Sequence, residues 1–414
     1  MLSKIRNIGI AQSGGPTCVI NSTLAGAFKR ASVCGSFKEI YGFRHGVDGI
    51  LNRNAVNLRD KITSPIELAL LRQTPAAALG SCRTKLPDYD SAEGQKIYEE
   101  LVQSMQYFGI GAFLYIGGND SMDTAWKLSQ YVKKTGREDA ITVIGVPKTI
   151  DNDIIITDHT PGFGSAAKYI ACCMQEITRD AEVYAVDSVT IVEIMGRDAG
   201  WLAASSAVIK ANGETAPHLI YLPEAVFDKD KFLDDVKTAI RRYRNVIVAV
   251  SEGIKTADGE YAAKSALSGV VDVFGHSYLA GAGKYLEDIV RTEIGCKVRS
   301  VELNVSQRAA SHISSLRDLD EAEMVGAEAV NLAMDKQNGK MVVIRRTSLS
   351  PYMSCADTVD LNTVANKAKP FPKEWINADE NGVTQEAIDY ILPLIQGEPN
   401  NILVNGLPKH FYLV

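Results

Sequence analysis

The chain has 414 residues, 46% of them hydrophobic, which is enough for one large core and favours two domains. Its net charge of −6, with acidic and basic residues interspersed, argues against a nucleic-acid-binding protein. The apolar runs have the length of strands and the first residues lack a signal-peptide core, so neither a membrane span nor secretion is expected. Seven scattered cysteines without a CxxC pair indicate reduced thiols in a cytoplasmic protein.

Short apolar runs alternate with longer segments of helical periodicity. The runs predict strands over 7–13, 112–118, 141–146, 188–194, 218–222, 245–253 and 341–346. The segments between them predict helices over 19–33, 92–107, 120–134, 163–182, 198–211, 228–244, 276–290, 320–335 and 385–396. This alternation predicts a doubly wound α/β architecture, whose ligands bind at the carboxyl ends of parallel strands. The proline-containing segment 347–384 has no regular pattern and is predicted to be an irregular surface segment.

Two glycine-containing motifs follow the first two predicted strands. SGGPT at 13–17 would let the backbone N–H groups around Gly14 and Gly15 approach an anion at a helix start, although a plain turn is as good an interpretation. GGNDS at 117–121 offers Asn119 and Asp120 as ligands for Mg²⁺ or as partners for a lysine. Asn119, Asp120 and Ser121 could equally cap the following helix.

The motif VPKTIDND at 146–153 is the most informative one. If the segment is extended, Asp151 and Asp153 lie on one side and Asn152 on the other. Crowded carboxylates shift each other's pKa unless a cation is near. Such a pair suits a general base for a hydroxyl together with a carboxylate that orients a metal. The alternative is an Asx-rich turn.

Three further motifs lie at the ends of later strands. EIMGR at 193–197 offers Arg197 to a phosphate, SEG at 251–253 offers Glu252 to sugar hydroxyls, and VRSVELNVSQR at 298–308 has Arg299 and Arg308 on either side of a probable strand. Two guanidinium groups in this arrangement could hold one phosphate. The alternatives are a surface salt bridge for Arg197, a solvated turn for Glu252, and an ordinary exposed pair for the two arginines.

Together and in this order, the six motifs resemble the phosphofructokinase family from about residue 7 to 325. The most specific matches are TIDND and MGR, with GG-x-x-S upstream. The resemblance implies two doubly wound, Rossmann-like domains with the active site in the cleft between them. It implies that one domain, residues 1–162 with 307–357, binds the phosphoryl donor. The other, residues 163–306 with 358–414, binds the sugar phosphate and includes the C-terminal extension.

The resemblance also implies an activity and a set of site residues. A phosphoryl group is transferred to the 1-hydroxyl of fructose 6-phosphate, with Mg²⁺ as cofactor, in a homodimer or homotetramer. The implied catalytic residues are Asp151, which accepts the hydroxyl proton, Thr149 and Arg197. The implied donor-binding residues are Gly14, Gly15, Arg83, Asp120, Ser121 and Lys148. The implied sugar-phosphate-binding residues are Thr149, Asp151, Met195, Gly196, Arg197, Glu252, Arg299 and Arg308. The implied metal ligands are Asp120 and Asp153.

The two branches of the family differ in their phosphoryl donor. ATP-dependent members resemble GGDGS and PGTIDND, whereas Asp120 and Lys148 stand here at the two glycine positions, as in the pyrophosphate-dependent branch. An aspartate side chain would occupy the space of the nucleotide's α-phosphate, and a lysine paired with it would bind a smaller donor. The expected reaction is the reversible conversion of pyrophosphate and fructose 6-phosphate to phosphate and fructose 1,6-bisphosphate. The alternative is an ATP-dependent 6-phosphofructokinase.

Three positions depart from the family pattern. Asn119 replaces a metal-binding aspartate, Ser188 replaces an arginine that reaches a neighbouring subunit, and Val305 stands where ATP-dependent members have a histidine. These changes leave sedoheptulose 7-phosphate as a further candidate acceptor. A kinase of the NAD-kinase or lipid-kinase type shares the diglycine loop but lacks TIDND and MGR. A non-catalytic phosphosugar-binding protein is the third class.

Overall fold

Residues 6–263 and 281–413 are described by the computed structural model. The thirteen strands found there are β1 (Arg6–Gln12), β2 (Phe37–Phe43), β3 (Ala55–Asn57), β4 (Ile110–Gly117), β5 (Thr142–Pro147), β6 (Ser188–Ile194), β7 (Leu219–Tyr221), β8 (Asn245–Ser251), β9 (Lys297–Glu302), β10 (Lys340–Leu349), β11 (Tyr352–Asp360), β12 (Leu403–Val404) and β13 (Leu407–Pro408).

The helices of the same residues alternate with the strands. They are α1 (Ile20–Val33), α2 (Gly46–Leu51), α3 (Leu58–Lys61), α4 (Pro65–Gln73), α5 (Ala92–Tyr107), α6 (Asn119–Lys134), α7 (Phe163–Glu182), α8 (Trp201–Ser205), α9 (Lys229–Tyr243), α10 (Ala282–Glu293), α11 (Ser306–Ala309), α12 (Leu316–Met334), α13 (Leu361–Val364) and α14 (Gln385–Ile391). Short 3₁₀ helices occur at Ser206–Asn212, Ser311–Ile313, Lys373–Trp375 and Leu392–Ile395. None of the helices in the described ranges is long and apolar enough to cross a membrane.

The described residues form two compact units. Unit 1 comprises 6–165, 308–368 and 397–413, and unit 2 comprises 166–263, 281–307 and 369–396. The joints at 165/166 and 307/308 lie inside helices α7 and α11, so no linker marks them.

Unit 1 contains a seven-stranded sheet in the order β11-β10-β5-β4-β1-β2-β3. The strands from β10 to β2 are mutually parallel, and β11 and β3 run antiparallel at the two edges. Successive residues of β4 alternate between two apolar clusters: Leu114 and Ile116 face the side covered by α1 and α12, whereas Phe113 and Tyr115 face α5 and α6. The sheet is therefore buried on both faces, as in a doubly wound fold.

Helices α1 and α12 cross almost backbone to backbone. A Cβ atom on Gly26 would lie 2.0 Å from the carbonyl oxygen of Glu323, and one on Gly326 would lie 2.0 Å from that of Thr23. Only glycine fits these two positions, because any side chain would force the helices apart.

Unit 2 is built on a four-stranded sheet in the order β7-β8-β6-β9, and all of its strands are parallel. Its core joins Ile191 and Val248 of the sheet to Phe232 of α9 and Leu286 of α10. The returning segment 369–396 packs on α8 through Trp201, whose ring centroid lies 5.0 Å from that of Phe371.

The predicted α/β fold class is confirmed, as the two sheets and their helical layers show. Two sequence-based expectations were wrong. Residues 347–360 do not form an irregular segment, because β10 and β11 make an antiparallel hairpin there. Residues 358–368 and 397–413 belong to unit 1 rather than to the second domain. Leu413 is buried in the unit 1 core, and its carbonyl accepts a hydrogen bond from Arg44 Nη2 at 2.9 Å. Part of the helix predicted at 276–290 lies outside the described residues.

Candidate active site

Three loops of unit 1 follow the adjacent parallel strands β1, β4 and β5. The backbone joins them, since Ser13 N–H donates to the carbonyl of Ile116 at 2.9 Å and Lys148 N–H donates to that of Gly117 at 3.0 Å. Because the carboxyl ends of parallel strands meet at one edge of a sheet, the three predicted motifs SGGPT, GGNDS and VPKTIDND come together there.

The loop after β1 serves both to turn the chain and to leave space. Gly14 has a φ of +78°, which favours glycine, and its N–H donates to the carbonyl of Cys82 at 3.2 Å. Thr17 Oγ1 accepts the N–H groups of Val19 and Ile20 at 3.2 and 2.9 Å. The end of this motif therefore accepts the first N–H group of α1, while Gly15 remains the part suited to an anion.

The loop after β4 leads into α6 without a side-chain cap from any described residue. Gly118 is the N-cap residue, so the predicted capping by Asn119, Asp120 and Ser121 does not occur. Ser121 is buried, and a Cβ on Gly117 would lie 2.0 Å from its hydroxyl oxygen. Asp120 is exposed in the first turn. The first N–H groups of α6 thus keep the partial positive charge that attracts phosphate.

Lys148 places a buried ammonium group over these two loops. Its Nζ lies 2.9 Å from the position of a Cβ on Gly14 and 3.8 Å from that of a Cβ on Gly118, and the residue is 3% exposed. The two glycines leave the space into which the lysine extends. Its charge is therefore presented where both loops offer backbone N–H groups.

Both negatively and positively charged side chains surround Lys148. Burial lowers the pKa of Lys148 to about 8, although the carboxylates of Asp151 and Asp153 act to raise it. Arg308 and Arg83 lower the pKa further. We had predicted Asp120 as the partner of Lys148, but Asp151 and Asp153 are the carboxylates that act on it most strongly.

Arg308 lies beside the predicted donor loops. Its Nη1 is 3.6 Å from the position of a Cβ on Gly15, and it belongs to unit 1. Arg299, its predicted companion on the sugar 6-phosphate, belongs to unit 2. The structure thus assembles Lys148, Arg83 and Arg308 around the loops after β1 and β4, a cluster suited to an inorganic polyphosphate.

The segment that carries Asp151 is a turn and not the extended segment that we predicted. Asn152 has a φ of +53°, and its side-chain oxygen accepts the N–H of Thr160 at 3.1 Å. Thr149 Oγ1 donates to Asp151 Oδ2 at 2.7 Å and also accepts the Asp151 N–H at 3.2 Å. The two interpretations of this motif, an Asx-rich turn and a positioned carboxylate, therefore both apply, because the turn holds the carboxylate of Asp151 in place.

Asp153 is held by the amide of Asn119. Asn119 Nδ2 donates to Asp153 Oδ2 at 3.0 Å, while Asn119 Oδ1 is buried and lacks a hydrogen-bond partner among the described residues. Burial, followed by the charge of Asp151, raises the pKa of Asp153 to about 7. The orphaned Asn119 Oδ1 and the Asp153 carboxylate are oxygen donors that fit Mg²⁺, which favours the ionised carboxylate.

The MGR motif of unit 2 forms a second loop, at the end of β6. Gly196 has a φ of +129°, and its N–H donates to Glu252 Oε1 at 3.3 Å. Its carbonyl accepts the hydroxyl of Ser251 at 2.6 Å. Met195 N–H donates to Gln307 Oε1 at 3.2 Å. Glu252 and the MGR loop are thus brought together by their own hydrogen bonds, as expected for neighbouring parallel strands.

The two arginines of unit 2 are in different situations. Arg197 is half-buried, and within the described part of the chain its Nε has no hydrogen-bond partner. Arg299 does not precede a strand as predicted but lies within β9. It donates to Asp180 at 2.5 Å and to Thr190 Oγ1 at 3.3 Å. Arg197 is therefore better placed than Arg299 to receive a ligand phosphate in this structure.

Three buried polar residues that support these loops were not predicted. Thr160 donates its hydroxyl to the carbonyl of Thr149 at 2.7 Å, Ser251 anchors Gly196, and Gln307 anchors Met195. All three are 0% exposed. The only sequence signal was a polar residue inside or beside a site motif, which does not reveal a partner far away in the chain.

Comparison with known proteins gives consistent matches along the chain. The family model described as Phosphofructokinase matches residues 7–333. A pyrophosphate–fructose 6-phosphate 1-phosphotransferase of Xanthomonas campestris pv. campestris is 40% identical over 410 residues, which are 98% of this chain and 96% of that protein. One of Halomonas elongata is 39% identical over 406 residues, 97% and 95% of the two chains. The crystal structure of a pyrophosphate-dependent phosphofructokinase from Marinobacter aquaeolei matches with a TM-score of 0.86 and 35% identity, covering 98% and 95%.

Proposed function

Because the chain belongs to the phosphofructokinase family, we propose that it transfers a phosphoryl group from pyrophosphate to the 1-hydroxyl of fructose 6-phosphate. The products are phosphate and fructose 1,6-bisphosphate, and the reaction is reversible because pyrophosphate and the product ester have comparable transfer potential. The observation that carries the choice of donor is the buried ammonium group of Lys148 above Gly14 and Gly118.

The position of Lys148 favours a small donor over a nucleotide. Glycine at this position would leave the space beside Gly14 open, whereas the lysine fills it and is held there by burial. The ammonium group with Arg83 and Arg308 can neutralise a compact polyanion. Asp120, exposed at the start of α6, adds a negative charge that a longer polyphosphate chain would have to pass.

Asp151 is the general base of the proposed mechanism. It accepts the proton of the sugar's 1-hydroxyl, the hydroxyl oxygen forms a bond to a pyrophosphate phosphorus, and the bridging P–O bond breaks to release phosphate. Thr149 donates its hydroxyl to Asp151 Oδ2 at 2.7 Å and so leaves Oδ1 to accept the proton. The hydrogen bond fixes the rotamer of the carboxylate before substrate arrives.

Positive charges and N–H groups stabilise the developing charge on the phosphoryl oxygens. Lys148, Arg83 and Arg308 supply the charges, and the uncapped start of α6 supplies backbone N–H donors. Phosphoryl transfer depends mainly on such positioning and charge neutralisation, so these fixed groups account for most of the expected rate enhancement.

Asp153 and Asn119 Oδ1 are the residues that would hold Mg²⁺, with Asp120 as a further candidate ligand. When bound, Mg²⁺ supplies charge neutralisation on the pyrophosphate oxygens. The amide hydrogen bond from Asn119 to Asp153 orients the carboxylate. Chelation with EDTA should abolish turnover, and added Mg²⁺ should restore it.

The MGR loop and Glu252 of unit 2 are proposed to bind fructose 6-phosphate. Glu252 Oε1 accepts the Gly196 N–H, which holds the carboxylate beside the MGR loop for contact with sugar hydroxyls, and Arg197 offers its guanidinium to phosphate. Arg299 would have to leave Asp180 in order to bind the 6-phosphate. We further propose a cytoplasmic homo-oligomer, as the family implies, which light scattering of the purified protein would test.

The decisive experiment is a turnover assay with pyrophosphate and with ATP as alternative donors. We expect activity with pyrophosphate, and activity with ATP alone would overturn the proposal. The double variant Asp120→Gly with Lys148→Gly should lose pyrophosphate use and gain in any ATP use. Wild-type pyrophosphate turnover in that variant would contradict the assignment of these two residues.

A further inference from the structure

The segment after β11 contacts the donor side of unit 1 at three points, although no site motif lies in it. Leu361 and Val364 of α13 are fully buried in the cluster that contains Met122 of α6. Asn366 Nδ2 donates to Asp123 Oδ1 at 2.8 Å. Ala368 pairs antiparallel with Ile154, the residue after Asp153. The segment therefore joins α6 to the loop after β5.

The bond from Asn366 to Asp123 has the character of a strong interaction. Asp123 is 4% exposed, and its second carboxylate oxygen pairs with Lys127 Nζ at 2.7 Å. Hydrogen bonds to a charged and buried acceptor are shorter and stronger than neutral ones. Asp123 follows Asn119 by one helical turn, so the bond fixes the start of α6.

These contacts close a ring around the proposed Mg²⁺ ligands. Asn119 donates to Asp153 at 3.0 Å, Asp153 is followed by Ile154, and Ile154 pairs with Ala368. Ala368 lies two residues after Asn366, which returns to α6 through Asp123. The relative position of Asn119 and Asp153 is thus fixed from both ends.

We propose that Asn366 is a positioning residue for the binding of Mg²⁺ with pyrophosphate, acting through Asp123 on the Asn119–Asp153 pair. This inference rests on the proposed function and deepens it. It assigns a role to a segment that carries none of the family motifs. Residues that orient metal ligands from outside commonly change metal affinity or activity by 10- to 100-fold when replaced.

The test is the variant Asn366→Gly. Asn366 has a φ of +59°, so glycine keeps the backbone and removes only the amide. The matched control is Asn405→Gly, since Asn405 has a φ of +54° and is exposed in the turn between β12 and β13. The measurements are the Kd of Mg²⁺–pyrophosphate and of fructose 6-phosphate by calorimetry, the Mg²⁺ dependence of turnover, and the Tm.

For Asn366→Gly we expect a Kd of Mg²⁺–pyrophosphate that is about tenfold higher and an increased Mg²⁺ requirement. The Kd of fructose 6-phosphate should stay unchanged, and Asn405→Gly should match wild type. An unchanged Mg²⁺–pyrophosphate Kd, or an equal loss for both substrates or in the control, overturns the inference. If Tm shows that Asn366→Gly does not fold, Asn366→Asp, which repels Asp123, must give the same selective loss. Absence of Mg²⁺–pyrophosphate binding in wild type would instead overturn the proposed function.

Discussion

Lys148 is a cation that the fold keeps out of water, and this sets how it responds to a ligand. Burial disfavours the ammonium form, and Asp151 and Asp153 only partly offset that cost, so the pKa falls to about 8. An arriving polyanion adds negative charge and stabilises the ammonium group. Binding of the donor and protonation of Lys148 are therefore linked, since each favours the other.

This linkage predicts a pH dependence for use of the donor. Because Lys148 loses its proton as pH rises through about 8, kcat/KM for pyrophosphate should fall above that pH. Lys148→Arg keeps its charge there, so the ratio of wild-type to variant kcat/KM should decrease between about pH 7 and pH 9.5. The ratio cancels the ionisation of the substrate itself. A ratio that is constant over this range would contradict the role of the ammonium group.

Asp151 should contribute to turnover more than to binding. Asp151→Asn keeps the acceptor oxygen for Thr149 but cannot take up the hydroxyl proton, so kcat should fall about 10²- to 10⁴-fold. KM for fructose 6-phosphate should change little. The conservative variant Thr149→Ser, which keeps the hydroxyl, is the control and should retain most activity. A near-wild-type kcat in Asp151→Asn would exclude Asp151 as the base.

The sequence revealed those site residues whose position follows from the strand they end, and not those whose role depends on a partner elsewhere in the chain. Gly14, Lys148 and Asp151 could be predicted because they follow strands, and parallel topology gathers strand ends. Thr160 and Gln307 could not, because their roles arise from hydrogen bonds made only once the loops have folded. The prediction that Asp120 is the partner of Lys148 was wrong for the same reason. The turn at Asn152 brings Asp151 and Asp153 close enough to act on the ammonium group.

At the scale of elements, the crossing of α1 and α12 positions the loop after β1. The two helices approach at Gly26 and Gly326, where no Cβ fits. Thr17, just after the Gly14–Gly15 turn, accepts the Ile20 N–H at the start of α1, so a shift of α1 moves the turn as well. The helix pair is therefore a support for the donor loop as well as part of the core.

Gly326→Ala tests this support. A methyl group 2.0 Å from the carbonyl oxygen of Thr23 must push the helices apart, so we expect a loss of about 1–3 kcal/mol in the free energy of unfolding. KM for pyrophosphate should rise as the loop after β1 shifts. Urea unfolding and kinetics of the variant and of wild type provide the measurement, and wild-type stability in Gly326→Ala would refute the close crossing.

The elements themselves were predicted where the apolar pattern was continuous. Strands β4 and β8 are buried along their whole length and β6 is buried after Ser188, so all three stand out in the sequence. Strand β2 mixes buried with partly and fully exposed residues, and β11, at a sheet edge, has only partly or fully exposed residues, so their mixed polarity hid them. The hairpin of β10 and β11 was missed for this reason.

At the scale of the whole molecule, the chain passes between the units four times, at 165/166, 307/308, 368/369 and 396/397. The first two joints lie within helices, where no linker composition can appear. The C-terminal assignment failed because 397–413 returns to unit 1, which nothing local in the sequence indicates. Long-range packing, such as Leu413 in the unit 1 core, decides the division.

A buried ion network in unit 1 joins three distant parts of the chain. His159 lies between Asp158, at 2.9 Å, and Glu321 of α12, at 2.7 Å. Arg346 of β10 pairs with Asp158 at 3.0 Å. The network thus ties the loop after β5 to α12 and to the β10–β11 hairpin, and Thr160 of the same loop holds the carbonyl of Thr149.

This network predicts a pH-dependent stability. Burial opposes the charge of His159, yet Glu321 and Asp158 raise its pKa to about 9, above the ordinary value of 6.5. A pKa raised by folding stabilises the protein fully below about 6.5, and this contribution is lost as pH rises through about 9. His159→Gln should therefore lower Tm by several degrees at pH 6.5, and the difference should shrink towards pH 9.5. The exposed His312, changed to Gln, is the control and should leave Tm unchanged. A Tm difference for His159→Gln that stays constant across this range would show that the residue contributes by packing and not by charge.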